Sequence, residues 1–534
     1  MTENIGNVLR DRWLTRFGLI MAMSGNAVGL GNFIRFPGQA AEHGGGAFMV
    51  PYFIALVLMG VPLMWIEWTI GRYGGAWGHG STPGMFHRLW RNPISKYIGV
   101  FGVMLPAVIG LYYIYIESWS LGYAWQSITG AYWGSETQAA MGEVFGNYLG
   151  HGEGPFAFGR QAYLFFVITI VVNFFVFYRG ISRGIELLAK YGMPLLLIMG
   201  LLLAARVLTL PMVDGRGVSE GLAQIWVVDW DALGAPAIWI AASGQVFFTL
   251  SLGFGMIHAY ASYLTKDDDI TLNGLATVGT NSFVEVILGS TVVVPAALIY
   301  FGMAGIEVIT DEGTFAISFQ TLPVIFQQLP FGQFFATVWF LLLFLAGLMS
   351  SVAMFVPLLS FLQDELDMDR NKALAGIFVA VFLLMQPIIL YSHRGIMDEL
   401  DFWVATFLIV VFACAEVVIF SWIFGIDKGW EAMHRGADLR VPRIFYYIMK
   451  YVTPVYAVGL LLWYMMDDEE GLVPVLMMDG VAEANRPILW LARLIILLFI
   501  AFLVWGVWHA WRTHPKFFDD RDETEEGTKE ADVQ

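Results

Sequence analysis

The stretch best suited to binding chemistry is residues 25–32, Gly-Asn-Ala-Val-Gly-Leu-Gly-Asn, inside an apolar run long enough to cross a membrane. Its three glycines each weaken a helix by about 1 kcal/mol relative to alanine, and hydrocarbon does not solvate the two asparagine amides. A helix broken here frees backbone carbonyls that can bind a cation and N–H groups that can bind an anion. Close helix packing is the alternative, because Gly25 and Gly29 also form a small-xxx-small pair.

A second interruption lies in the sixth apolar span, at residues 249–255, Thr-Leu-Ser-Leu-Gly-Phe-Gly. The two interruptions are five spans apart. Each span reverses the direction in which the chain crosses the membrane. Because five is odd, a second copy of the first half that begins at span six has the opposite orientation in the membrane. Two broken segments at matching positions of inverted halves indicate a substrate site at the bilayer midplane. Helix packing explains one glycine cluster better than two at matched positions.

The composition is that of a helical membrane protein. Of 534 residues, 57% are hydrophobic and 14% charged, which is less charge than a soluble chain carries. Many apolar runs exceed the roughly 18 residues that cross a bilayer. The net charge of -16 comes from loops and the tail 519–532, so it does not indicate nucleic-acid binding. Cys414, the only cysteine, excludes disulfides within the chain and cysteine-based metal sites.

Run length predicts an all-α polytopic membrane protein with twelve transmembrane helices, a five-plus-five inverted repeat and broken helices 1 and 6. The chain is predicted to be a single transporter domain over 1–534. Its parts are a cytoplasmic N-terminus at 1–15, a first repeat at 16–209, a second repeat at 236–424, helices 11 and 12 at 442–512 and a disordered acidic tail at 513–534. The predicted spans are 17–42, 48–72, 95–125, 162–178, 186–209, 237–262, 272–302, 333–363, 372–391, 400–424, 444–465 and 488–511.

Lysine and arginine are distributed unevenly between the two sides of the membrane. With the N-terminus inside, most fall in or beside cytoplasmic segments, and few lie in the opposite loops: Arg160, Arg216, Arg394 and Arg486. This positive-inside pattern predicts that both termini are cytoplasmic, in a multi-pass protein of a bacterial plasma membrane. Residues 1–16 are polar and show no signal peptide.

The sequence shows no recognisable set of catalytic or cofactor-binding residues. The sequence has no Gly-rich phosphate loop ending in Lys-Ser/Thr, no pair of membrane histidines at clear haem spacing and no convincing nucleophile–base set. His258 lies alone on the sixth span, where a hydrogen-bonded structural role is predicted. The sequence therefore disfavours a membrane enzyme.

Long motifs around the breaks resemble those of the neurotransmitter:sodium symporter family, most closely its bacterial leucine and amino-acid transporters. The resemblance covers about residues 10 to 515. The matching motifs are Gly25 to Pro37, Gly44-Gly45-Gly46-Ala47-Phe48, Glu67-Trp68 with Gly71-Arg72-Tyr73, Tyr112-Tyr113 with Glu117-Ser118-Trp119, and Gln245 through Gly255.

The resemblance implies a first sodium site made by the Ala27 carbonyl, Asn32, Thr249 and Asn281, with the substrate carboxylate as a further ligand. Hard oxygen donors suit an alkali cation. A ligand carried by the substrate also couples its binding to that of sodium. An interhelical hydrogen bond is the alternative role for Asn281.

A second sodium site is doubtful. The family forms it from carbonyls that correspond to Gly25, Val28 and Ala346 and from two adjacent hydroxyl side chains. This chain has Met349 and Ser350 at those two positions, and a thioether is a poor sodium ligand. Water or a neighbouring oxygen such as that of Ser24 or Ser351 substitutes, or the second site is weak or lost.

The resemblance also implies how a substrate is held. Its carboxylate would meet the N–H groups near Leu30 and Gly31 and the Tyr113 hydroxyl, and its ammonium would meet half-helix carbonyls. The side-chain pocket has no charge, which predicts a neutral, apolar amino acid. The family's monoamine members carry an aspartate where this chain has Gly29, which favours amino acids over amines. The predicted substrate residues are Asn26, Ala27, Leu30, Gly31, Ile109, Tyr113, Phe248, Thr249, Ser251, Phe254, Ser350 and Met354.

Glu285 is an ionisable group within the seventh span, where charge is costly and usually functional. Chloride-dependent members of the family carry serine at this position and need the anion to balance sodium. A carboxylate supplies that charge internally, so the resemblance predicts transport that is independent of chloride. Protonation of Glu285 after sodium leaves would make proton antiport feasible.

The resemblance implies two gates. Arg35 and Asp401 would close the outer vestibule through a solvent-bridged ion pair, above a lid of Tyr113 and Phe248. An inner lock would be formed by Arg10 and Asp364, helped by Trp13 and Tyr263. An ordinary surface salt bridge, worth about 0–1 kcal/mol, is the alternative for such pairs.

The sequence thus predicts a sodium-coupled symporter that takes up a neutral amino acid by alternating access. An amine or osmolyte carrier, or a non-transporting amino-acid sensor or channel on the same scaffold, stays an open alternative. Expected partners are the amino acid, the sodium ion and the lipid bilayer, and none is a nucleic acid. A homodimer stays open.

Overall fold

The computed structural model describes residues 13–151, 159–302, 315, 317–466 and 472–513. Arg10 and nearly all of the predicted N-terminal and C-terminal segments lie outside these residues. Within them, ten helices are long and apolar enough to cross a membrane. They are α2 (Gly46–Ala76), α3 (Ser95–Thr129), α4 (Arg160–Tyr178), α5 (Ile181–Leu208), α7 (Ile270–Phe301), α8 (Gly332–Asp364), α9 (Arg370–Leu390), α10 (Ile396–His434), α11 (Ile444–Met466) and α12 (Arg486–Thr513).

The two other spans, α1 and α6, are interrupted. α1 consists of Arg16–Ala27, Leu30–Phe33 and Arg35–Glu42. α6 consists of Pro236–Thr249 and Met256–Ala261. With the ten uninterrupted helices they make twelve spans, so the predicted all-helical fold with broken helices 1 and 6 is confirmed.

The breaks follow from backbone conformations that a helix does not allow. In α1, Val28 turns to ψ 96° and Gly29 is extended. In α6, Ser251, Gly253 and Gly255 have φ of 55°, 71° and 77°. Residues other than glycine seldom adopt these backbone conformations. Each break leaves carbonyls and N–H groups without helical partners.

Helices α3 and α8 lie against each other beside both breaks. A Cβ at Gly110 of α3 would fall 2.5 Å from the Phe355 ring, and one at Gly347 of α8 would fall 2.8 Å from Glu117. Glycine at these points lets the two backbones approach closely, as is common between membrane helices. The pair thereby forms a closely packed wall facing α1 and α6.

Gly255 offers a direct test of this packing. Its φ is positive, and a Cβ there would lie 2.0 Å from the Gly102 carbonyl oxygen of α3. Gly255→Ala should therefore lower the free energy of unfolding by more than about 1–3 kcal/mol. The measurement is the midpoint temperature of thermal unfolding in detergent, which should fall. Gly279→Ala is the control, since a Cβ at Gly279 meets nothing within 4 Å. Equal unfolding temperatures in the two variants would contradict the close packing of Gly255 against α3.

Candidate functional site

A cavity lies where the two breaks meet α3 and α8. Its lining includes every predicted substrate residue except Leu30. Four further lining residues were not assigned to the substrate set from the sequence: Gly29, Asn32, Pro106 and Met256. Asn32 was predicted as a sodium ligand instead. Pro106 lies three residues before Ile109 on α3, so helical spacing could have indicated it. Met256 follows the break of α6 directly, and no sequence signal marked it.

Hydroxyl groups tie the two breaks together through one freed carbonyl. The Asn26 carbonyl oxygen accepts the Ser251 hydroxyl at 3.3 Å and the Ser350 hydroxyl at 3.1 Å. The Ser350 hydroxyl also lies 3.3 Å from the Gly25 carbonyl oxygen. One polar junction therefore connects α1, α6 and α8 in the buried centre of the protein.

The N–H end of the α1 break faces Tyr113. The Leu30 N–H donates to the Tyr113 hydroxyl at 3.0 Å, and the Gly29 N–H donates to the Asn32 side-chain oxygen at 2.8 Å. A Cβ at Gly29 would lie 2.6 Å from the Tyr113 hydroxyl and 2.8 Å from the Ser350 hydroxyl. This corner of the cavity has room for a hydrogen-bonded anion but not for a side chain at position 29.

Oxygen atoms converge at the other end of the cavity. The Asn281 amide oxygen lies 3.1 Å from the Ala27 carbonyl oxygen and 3.3 Å from that of Thr249. Acceptors so close together repel each other. With the amide turned over, the Asn281 nitrogen donates to both carbonyls instead. The Asn32 amide nitrogen points toward Asn281 and Thr249, at 2.8 Å and 3.2 Å, so Asn32 must also turn to become a ligand.

Met349 occupies the place where a second cation would need an oxygen. Its sulfur lies 3.0 Å from the position of a Cβ on Gly25 and 3.1 Å from that of one on Gly192. The Ser351 hydroxyl donates to Asn173 at 2.6 Å, so it is engaged elsewhere. The Ser24 hydroxyl is buried without a hydrogen-bond partner.

Glu285 is fully buried and held by three donors. Tyr52 donates at 2.6 Å, Gln245 at 2.5 Å and the Asn281 amide nitrogen at 3.5 Å. Asn281 is also one of the converging side chains, so the carboxylate lies directly behind the oxygen cluster. Its negative charge favours a cation there.

The predicted outer gate residues lie above the cavity with separate partners. Arg35 donates to the Gln245 oxygen at 3.0 Å and lies over the Phe248 ring, 4.7 Å from its centroid. Asp401 accepts the Tyr112 hydroxyl at 2.7 Å. The solvent-bridged pairing of Arg35 with Asp401 stays a prediction. The role of Gln245, which joins Arg35 to Glu285, was not predicted from the sequence.

Comparison with known proteins now decides the family. The profile described as the sodium:neurotransmitter symporter family matches residues 10–143 and 157–504. The chain belongs to this family. It is therefore a sodium-dependent, multi-pass membrane transporter.

Relatives of this symporter match over most of its length. An uncharacterised sodium-dependent transporter of Methanocaldococcus jannaschii is 32% identical over 453 residues, covering 84% of this chain and 88% of that protein. The sodium- and chloride-dependent glycine transporter 2 of Xenopus laevis is 23% identical over 519 residues, covering 85% and 64%. The crystal structure of MhsT in complex with L-phenylalanine aligns with a TM-score of 0.74 and 27% identity, covering 85% of this chain and 99% of that one.

At the opposite end of the symporter, Trp13 donates to the Tyr260 carbonyl at 3.2 Å. Tyr263 lies 3.2 Å from the Ser360 hydroxyl, and Asp364 accepts the Gly80 N–H at 2.9 Å. Arg10 lies outside the described residues, so the predicted Arg10–Asp364 lock stays a prediction.

Two contacts that hold the start of α1 were not predicted. Glu186 of α5 accepts the Leu14 N–H at 2.7 Å and the Thr15 N–H at 3.1 Å. Arg16 pairs with Asp269 at 3.0 Å and with exposed Asp438 at 2.8 Å. Burial of Asp269 opposes its ionisation, but the Leu272 and Asp438 N–H groups, the Thr271 hydroxyl and Arg16 hold its pKa below the usual value.

His258 is the lone histidine of the sixth span, and the prediction that its ring is hydrogen-bonded is wrong. Its ring lies 3.4 Å from Glu67 and 3.8 Å from Glu416, and neither ring nitrogen forms a hydrogen bond. The sequence could not bring these residues together, because they lie on three separate spans.

The two acids that pair with Arg16 give a matched test. In a Cys414→Ala background with Tyr260→Cys, Asp269→Asn should raise the rate of thiol labelling several-fold, because the start of α1 loosens from α7. Asp438→Asn should change it by less than about two-fold, since an exposed pair contributes little. Similar rates in both variants would show that Asp269 does not fasten α1.

Proposed function

We propose that this symporter takes up a neutral amino acid, driven by the inward sodium gradient and without chloride. The observation that carries the proposal is the position of two complementary binding ends in one uncharged cavity. The Leu30 N–H and the Tyr113 hydroxyl form an anion-binding end. The oxygens of Ala27, Thr249 and Asn281 form a cation-binding end.

A bound amino acid has chemistry for both ends. Its carboxylate replaces the Tyr113–Leu30 contact and supplies a further oxygen to sodium beside Asn281. Its ammonium binds the freed carbonyls near Ala27 and Ser251. Because the substrate completes the sodium shell, the two bind more tightly together than apart. MhsT, a relative crystallised with L-phenylalanine, supports an amino acid as the substrate class.

Gly29 argues against an amine as substrate. An amine lacks the carboxylate that completes the sodium shell, so it would need an acidic side chain in the cavity. A side chain at position 29 collides with Tyr113 and Ser350. The remaining lining is apolar or neutral, which favours a neutral, apolar amino acid.

Radiolabelled uptake into proteoliposomes tests the proposal. An inward sodium gradient should drive accumulation of an amino acid such as leucine, methionine or tryptophan, and the three should compete. Asn281→Ala should lose sodium activation, because it removes one of the converging oxygens. Thr277→Val, one turn earlier on α7, should keep it, because the buried Thr277 hydroxyl donates to the Asn273 carbonyl of its own helix.

Three results would refute the proposal. Sodium-independent accumulation would remove the coupling, and competition by amines but not by amino acids would indicate an amine carrier. Binding without accumulation, or currents that do not saturate, would indicate a sensor or a channel.

A single coupled sodium ion is the second part of the proposal. Gly25, Val28, Ala346 and Ser350 remain as donors for a second ion, but the Met349 thioether fills the space beside Gly25. Wild-type uptake should therefore depend on sodium with a Hill coefficient of about one, rising toward about two in Met349→Thr. Met349→Leu keeps the apolar bulk and should stay at about one. A wild-type value near two would overturn this stoichiometry.

Chloride independence rests on Glu285. Three donors surround its carboxylate, so it supplies the negative charge that an anion would otherwise bring. Glu285→Ser leaves those donors around a space for an anion, so uptake by this variant should require chloride. Glu285→Gln fills the space without charge and should lose uptake with or without chloride. Wild-type uptake that collapses when gluconate replaces chloride would contradict this assignment.

Alternating access completes the proposal. Arg35, Asp401 and the Phe248–Tyr113 lid close the cavity on one side. Trp13, Tyr263, Asp364 and the contacts of Arg16 close it on the cytoplasmic side, where both termini lie. Only one gate opens at a time.

A further inference from the structure

Glu67, His258 and Glu416 form a cluster in the interior, here called the buried triad. They come from α2, the second half of α6 and α10. The Glu67 Oε2 atom lies 3.4 Å from His258 Nδ1, and the Glu416 Oε2 atom lies 3.8 Å from His258 Nε2. All three side chains are fully buried. The imidazole therefore lies between two carboxyl groups.

The triad lacks the partners that buried ionisable groups normally have. Both His258 nitrogens, Glu67 Oε2 and both Glu416 oxygens form no hydrogen bond. No lysine or arginine pairs with the triad in the described part of the chain. Two carboxylates and a neutral imidazole would leave two negative charges in a low-dielectric interior, which is prohibitive. Protons can neutralise them.

Among the residues that the structure describes, no other charged side chain pairs with the triad. The rings of Phe86 and Phe412 cover the imidazole, and Cys414 is the nearest further titratable group on α10. Acids on the neighbouring elements are engaged elsewhere. Asp364 binds the Gly80 N–H, Glu365 faces His79, Asp269 pairs with Arg16, and Glu285 binds Tyr52 and Gln245.

The triad is connected to the break of α6. The Gly253 N–H donates to Glu67 Oε1 at 2.6 Å. Gly253 lies between Ser251, which lines the cavity, and the helix that carries His258. An ionised carboxylate accepts an N–H bond more strongly than a carboxylic acid does. The conformation of the α6 break and the number of protons on the triad therefore depend on each other.

We propose that the Glu67–His258–Glu416 triad is a proton-binding site that is coupled to the α6 break and separate from Glu285. When sodium binds at Thr249 and orders the break, Gly253 binds ionised Glu67. One proton then leaves Glu67 for the aqueous solution, and a second stays on Glu416 or His258. When sodium leaves, the proton returns and the Gly253 contact weakens.

A divalent metal would also balance two carboxylates, but the geometry favours protons. His258 directs its two nitrogens at different carboxyl groups, Nδ1 at Glu67 and Nε2 at Glu416. One imidazole cannot bind a single ion through both nitrogens.

Proton release on sodium addition tests the proposal. The full-length protein is purified in detergent with a pH indicator at low buffer strength, and sodium chloride is added between about pH 5 and pH 9. Potassium chloride is the blank. The wild type should release protons, and His258→Gln and Glu416→Gln should each release about one fewer per transporter. His79→Gln, a buried histidine that faces Glu365, should match the wild type.

A sodium-induced thermal shift in the same samples separates this proposal from the proposed function. A variant that keeps the sodium-induced thermal shift still binds sodium. If such a variant also releases as many protons as the wild type, the proton site is overturned, and this result does not depend on which substrate is transported. If a variant loses the shift, infrared spectra without sodium decide. A protonated-carboxyl band that disappears in Glu416→Gln supports the site, and an unchanged band overturns it. Stoichiometric zinc bound by the wild type and lost in His258→Gln overturns it in favour of a metal.

Discussion

Backbone groups freed inside a membrane must find partners within the protein, because hydrocarbon offers none. This constraint explains the centre of the molecule. The breaks in α1 and α6 free carbonyls and N–H groups at one depth, and each break satisfies part of the other. The Asn26 carbonyl binds hydroxyls from α6 and α8, and the Leu30 N–H binds Tyr113 of α3. A ligand that enters the cavity exchanges with these contacts, so the loss of internal partners is offset by binding.

Charged groups in the interior must also find partners within the protein. Glu285 is surrounded by neutral donors and lies behind oxygens that suit a cation. The cavity itself has no charged side chain in its lining. In the proposed function, the carboxylate of the substrate completes the ligand shell of the cation, so each of the two binds more tightly when the other is present. This coupling acts over the short distance between the two binding ends of the cavity.

The sequence predicted the elements of the fold because their signals are local, and it predicted the lining of the cavity through the resemblance of its motifs to a family. Glycine and asparagine in an apolar run mark the breaks, and run length marks the spans. Contacts between distant spans had no such signal. Gln245 bridging Arg35 and Glu285, Asp269 fastening Arg16, and Glu67 meeting His258 depend on how separate helices rotate against each other. His258 was misjudged for that reason, since a lone histidine on one helix shows nothing of the acids on two others. Met349 departs from the family's motif in the sequence itself, but its approach to Gly25 depends on how α8 packs against α1.

The crowding around Gly29 limits how this protein could change its substrate over evolution. An aspartate at that position requires its neighbours to move, because its Cβ would lie 2.6 Å from the Tyr113 hydroxyl and 2.8 Å from the Ser350 hydroxyl. Space has to be created first, and removing the Ser350 hydroxyl also removes a tie to Asn26 and Gly25. Any intermediate would be less stable before it gained a new ligand. A change from an amino-acid substrate to an amine substrate would therefore need several substitutions together, because the first of them alone lowers stability.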